Sequence, residues 1–190
     1  MKLAKTTKSW LIGAALVLGS FGSQLFAATS DTIDIHVSIS GNKSVVVTGT
    51  TFYNYGALAV NTSSVSATAI TVQNDSTVFI ETYTITGAHA ISDTGGTNWT
   101  LAASTAANQY ALGAQFSTAR PADTNAAWTN DALTTGAQTC SGVNFGNGTD
   151  TEAGSNVSTG ANRSLWFRMK TPSSVTDAGA HTVTVTVSVL

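Results

Sequence analysis

The chain has 190 residues, 42% of them hydrophobic and only 9% charged, with eight basic against ten acidic side chains, two prolines and one cysteine. That length suffices for one domain with a sizeable core, and high hydrophobicity with little charge excludes intrinsic disorder. A sparsely charged, mildly acidic chain also excludes nucleic acid and anionic membrane surfaces as partners, because both are held by clustered Lys and Arg.

MKLAKTTK opens the chain with Lys2, Lys5 and Lys8 and no acid, and WLIGAALVLGSFGSQLFA follows as an apolar stretch ending in Leu25-Phe26-Ala27-Ala28. A basic region, an apolar region and small residues at a cleavage point are the layout of a secretory signal peptide. Residues 1–27 are therefore expected to be removed, leaving residues 28–190 as one secreted, periplasmic or cell-surface domain without integral membrane association. A retained anchor would need roughly 20 uninterrupted apolar residues, and Gly19 to Gln24 interrupt the run.

The next stretch alternates Ile33, Ile35, Val37 and Ile39 with Asp34, His36 and Ser38. Period-two alternation of β-branched residues predicts a strand with one buried face. Gly41-Asn42-Lys43 supplies a turn, and Ser44 to Thr48 reads as the second strand. SVSATAITVQ and VFIETYTITG read as two more, joined by Asn74 to Thr77. Glu81 breaks the phase of the latter, which predicts either a bulge there or a strand partly covered on both faces; for its carboxylate, an edge position with solvent access is expected over a buried functional one.

Asn98 to Leu101 and Gln109 to Phe116 are further strands, and Ala102 to Ala107 is the best helical candidate, at one turn. Residues 117–137 form a long irregular excursion containing Trp128. A strand around Thr139 to Phe145 leads to a Gly, Asn, Ser and Thr loop over 146–162. In Ser164 to Lys170 the alternation turns Leu165, Phe167 and Met169 inward and Trp166, Arg168 and Lys170 outward. The Asp177-Ala178-Gly179 turn then leads to HTVTVTVSVL, whose Val183, Val185, Val187 and Val189 share one face. Chain adjacency predicts that this strand lies beside Leu165 to Lys170. The expectation is an all-β fold: a single Ig-like or jelly-roll-like β-sandwich of nine or ten strands with two long loops.

Few residues point to chemistry. There is no G-x-S-x-G or H-E-x-x-H, and His36, His89 and His181 lie far apart, His36 and His181 at polar strand positions expected on the surface. An exported hydrolase is thus a minor alternative. Cys140 has no internal partner, so it reads as a small buried apolar residue. Oxygen-rich Asn147, Asp150 and Glu152, near Asn144, are candidate calcium ligands, although the spacing departs from the EF-hand loop. Trp128 and Trp166 are candidate ligand-facing aromatics of a carbohydrate-binding module. No other cofactor is expected.

YNYGALAVNTSSVSATAITVQNDSTVFIETYTI, residues 53–85, resembles Ig-like modules of bacterial surface proteins, in which an aromatic-Gly corner precedes a strand ending in V-x-N-x-[SG]. Here that ending is Val72-Gln73-Asn74-Asp75-Ser76. The stretch is also similar to camelysin-type biofilm-matrix fibre subunits, although this chain is far poorer in Lys and Glu. The resemblance implies a non-catalytic surface or fibre protein and carries over no functional residue.

The sequence thus points to an exported, non-enzymatic structural or self-associating subunit, with other copies or other surface proteins as partners. Strands that avoid assembly are usually blunted by Lys, Pro or bulges, and neither terminal strand is. The segments expected to exchange between copies are Ile33, Ile35, Val37 and Ile39 on one strand and Val183, Val185, Val187 and Val189 on the other. The last strand is the better candidate to close its own sheet, and the first to be donated.

Overall fold

The structure, a computed structural model, describes residues 36–149 and 151–190. Two compact units divide the chain, Met1–Ile39 and Ser40–Leu190. Of the first, only residues 36–39 are described. No strand covers them, and Val37 and Ile39 are 86% and 78% exposed. The strand expected there is therefore absent over its described half, while Ile33 and Ile35 lie outside the described residues. Alternation supplies a face to bury, but a strand also needs an edge to satisfy its N–H and C=O groups.

The unit Ser40–Leu190 is all-β. Its strands are β1 (Val45–Thr48), β2 (Ser63–Val65), β3 (Ile70–Asn74), β4 (Tyr83–Gly87), β5 (Ile91–Ser92) and β6 (Thr100–Leu101), then β7 (Gln109–Phe116), β8 (Gln138–Thr139), β9 (Asn162–Lys170), β10 (His181–Thr182) and β11 (Val185–Val189). Helical structure among the described residues is one 3-10 turn at Ala126–Trp128, not the Ala102 to Ala107 candidate.

Three sheets result. The largest runs β1-β3-β9-β7-β6, with β2 also paired to β9; the second runs β11-β4-β8, and β10 pairs with β5. Among the strands of the described residues, only β6 and β7 pair in parallel, beside isolated parallel bridges joining Ala107 with Ser174 and Phe116 with Gly146. The centre is β9, nine residues long, which aligns Leu165 with Ile70 on one side and Phe116 with Leu165 on the other. The core draws on both larger sheets, joining Val72, Leu112, Phe116 and Leu165 to Tyr83 and Ile85. Each large apolar side chain so buried contributes roughly 1.5–3 kcal/mol.

Local chemistry explains where strands break. SVSATAITVQ is split into β2 and β3 because the backbone N–H of Ser66 donates to the Phe167 carbonyl (2.8 Å) while Phe167 N–H donates to Ser66 Oγ (3.1 Å). A hydroxyl thus takes the place of a ladder acceptor. The Thr139 to Phe145 strand shrinks to β8, beyond which Ser141 Oγ accepts from the N–H groups of Val143 and Asn144 and turns the chain.

Three expectations are corrected. HTVTVTVSVL does not lie beside Leu165 to Lys170: β11 pairs antiparallel with β4, Val187 opposite Ile85, and β10 pairs with β5. Trp166 and Arg168 do not face outward; both are buried, at 9% and 5% exposure, under the 117–137 excursion. Glu81 is 2% exposed rather than at a solvated edge. It exchanges backbone hydrogen bonds with Val157, and Ser76 Oγ donates to its carboxylate at 2.8 Å.

Candidate functional site

β11 is the last strand of its sheet, and among the described residues no strand pairs with its outer side. The N–H of Leu190 donates to the carbonyl of Thr82 at 3.0 Å. Antiparallel ladders alternate hydrogen-bonded and non-bonded pairs. Since Ser188 faces Thr84 and Thr186 faces Thr86, these share the parity of Leu190, and the N–H and C=O groups of Val185, Val187 and Val189 point toward the open edge. The same valines turn their side chains to the core, yet they and Val183 are only half-buried.

The strand VTVSV carries none of the devices that blunt an edge: no Lys, no Pro, no bulge. At its far end Lys43 Nζ donates to the Leu190 carbonyl at 2.7 Å. Near it lies β1, the terminal strand of the largest sheet, within 8 Å of β11 at their nearest Cα atoms but unpaired with it. Val45 packs on the core, whereas Val46 and Val47 are each 36% exposed. Among the described residues, the two sheets therefore present neighbouring unpaired edges with a partly covered valine face.

Trp128 and Trp166 are placed together with Val65 in a second, smaller cluster under the excursion. Their indole N–H groups donate to the carbonyls of Ala122 and Ser117, both at 2.9 Å. Trp128 also lines a cleft of about 480 Å³ with Asn125, Arg168 and Lys170. Arg168 is held there by Asp123 at 2.6 Å, and Asn125 Oδ1 accepts from Lys170 Nζ at 2.9 Å.

Of the calcium candidates, Asp150 lies outside the described residues. Glu152 accepts from Thr118 N–H (3.0 Å), Thr118 Oγ1 (2.8 Å) and Asn147 Nδ2 (2.5 Å), which holds its pKa below the usual carboxylate value. Among the described residues no group of three or more His, Cys, Asp or Glu is arranged to hold a metal ion. Cys140 is buried and free, and burial pushes its thiol up to about 12, so it stays protonated and unreactive.

The fold also unites residues that their spacing keeps apart. Ser92 Oγ donates to Asp177 at 2.7 Å, and the His181 ring stacks on Trp99 with centroids 3.8 Å apart. Contrary to the surface position expected of it, the His181 side chain is 2% exposed, with Asp177 at 3.9 Å. Its ring nitrogens face the carbonyls of Gly179 (2.8 Å) and Thr97 (2.9 Å). The hydroxyl therefore meets the carboxylate rather than the imidazole, the reverse of the order that activates a serine. His36 and His89 are exposed.

A last group lies under the excursion. Asp131 is 2% exposed, and Gln115 Nε2 reaches its Oδ2 (2.8 Å) as well as the carbonyls of Ala127 (2.9 Å) and Gly146 (3.3 Å). Its Oδ1 is buried without a partner. Two amide hydrogens thus face three acceptors, and burial pushes the carboxyl up to about 6 against the opposing bonds from Gln115 and the Phe145 backbone. Comparison with protein-family models, curated proteins and solved structures returns no match.

Proposed function

We propose that the protein is an exported, non-enzymatic structural subunit that self-associates at the cell surface or in an extracellular matrix or fibre. The observation that carries this reading is the open edge of β11, with half-buried valines and no blunting residue. Exposed apolar edges are templates for pairing with another chain, and a monomer gains nothing by leaving one unprotected. The secretory layout of residues 1–27 and the scarcity of charge agree with it.

The test is electron microscopy and light scattering of residues 28–190 over a range of concentrations. Fibres or discrete oligomers are expected, and a stable monomer at high concentration counts against the reading. The cleft beside Trp128 favours a second reading, a carbohydrate- or ligand-binding module. Glycan-array binding that is lost on Trp128→Ala, with the fold retained by circular dichroism, would support it.

A further inference from the structure

Resting on the self-association reading, we infer that the occupant of the β11 edge is the segment of residues 31–39 from a second copy, added as an extra strand beside Val185–Val189. Its sequence, DTIDIHVSI, has the composition the edge needs. Ile33, Ile35, Val37 and Ile39 fall on one face and Asp34, His36 and Ser38 on the other. With that apolar face laid alongside Val183, Val185, Val187 and Val189, β-branched residues meet β-branched residues, the pairing that sheets favour.

Both halves of the contact are incomplete by themselves. The donor half shows Val37 and Ile39 exposed and in no strand. On the acceptor half, the N–H and C=O groups of Val185, Val187 and Val189 point outward by ladder parity, and their side chains are half-buried. One added strand fills the backbone row and covers the valine face at once. The nine residues 31–39 are long enough to run the full length of the five-residue β11. Because donor and acceptor are different surfaces of one chain, the contact is head-to-tail: donation in one direction extends into a filament, and reciprocal exchange between two copies closes a dimer.

The test uses two variants of the protein. Val37→Asp with Ile39→Asp disables the donor and leaves the acceptor edge intact; Val187→Lys puts a charge into the acceptor edge and leaves the donor intact. Each alone is expected to lower the assembled fraction at least tenfold by light scattering, with circular dichroism unchanged. Mixed in equal amounts, they are expected to form a one-to-one dimer that grows no further, because only one donor–acceptor pairing remains.

Assembly of the donor variant at the wild-type level overturns the inference and leaves self-association standing by another surface. Monomers that stay monomers on mixing also overturn it, the segment then serving its own copy. A wild-type protein that never associates removes the reading beneath it. If Val187→Lys fails to fold, a synthetic peptide of residues 31–40 added in excess to the wild-type protein takes its place: arrest of growth supports the inference, and unimpeded growth overturns it.

Discussion

Asp131 shows how one side chain can set a pH dependence. Its carboxyl titrates near about 6 in the folded protein because burial disfavours the charge, against about 3.9 in an unfolded chain. The folded state then binds the proton more tightly than the unfolded one, so this residue lowers stability as pH rises from about 4 to about 6 and adds no further change above that. The difference is on the order of 2–3 kcal/mol. Asp131→Asn, which removes the buried charge, is expected to raise the Tm at pH 7 and to flatten the Tm profile between pH 4 and 6. A profile that matches the wild type would show that Asp131 is solvated. Asp177 has the opposite sign. Ser92 Oγ, then the Gly179 N–H, hold its carboxylate below the usual value, so its contribution is present at neutral pH and is lost as pH falls through and below the ordinary carboxylate range.

At the scale of elements, the 117–137 excursion acts as a second cover for β9. It buries Trp166 and Arg168 on the face that alternation assigns to solvent, and Trp128 sits so close to β7 that a Cβ at Gly113 would lie 2.8 Å from its Cε3. Trp166→Ala is expected to cost about 3–5 kcal/mol in urea denaturation. Gly113→Ala should cost about 1–3 kcal/mol by forcing the indole aside, with a shift in tryptophan fluorescence as the second readout. These elements also show what a sequence can disclose. Gln109–Phe116 is legible residue for residue, because a short, largely apolar run that holds Tyr110 and Phe116 between polar turns marks a strand whatever its partner. Period two, however, names a face and not a neighbour. HTVTVTVSVL is placed beside Leu165 to Lys170 by chain adjacency, whereas β4, nearly a hundred residues earlier, supplies its partner. In the same way, Trp166 reads as outward because nothing local announces a loop that returns over it. Of the candidate site, the valine face of β11 and the alternation of 31–39 are legible, but which edge stays free is a property of topology.

For the molecule as a whole, an association made of backbone hydrogen bonds and valine or isoleucine contacts owes little to charge. Raising NaCl from about 0.05 to about 1 M shortens the screening length from over 10 Å to about 3 Å. It is expected to leave the assembled fraction within twofold by light scattering, whereas assembly through ion pairs would dissolve. The position of β9 has a further consequence, in time rather than space. Its partners β3 and β7 are made long before it, and Ile70 lacks its cross-strand partner until Leu165 exists. With its central ladder closed only by non-local contacts, the domain folds late and as a unit. β11 follows β9 in the chain, so its open edge comes into being after the body that holds it, and a half-made chain does not yet offer its neighbours that particular template.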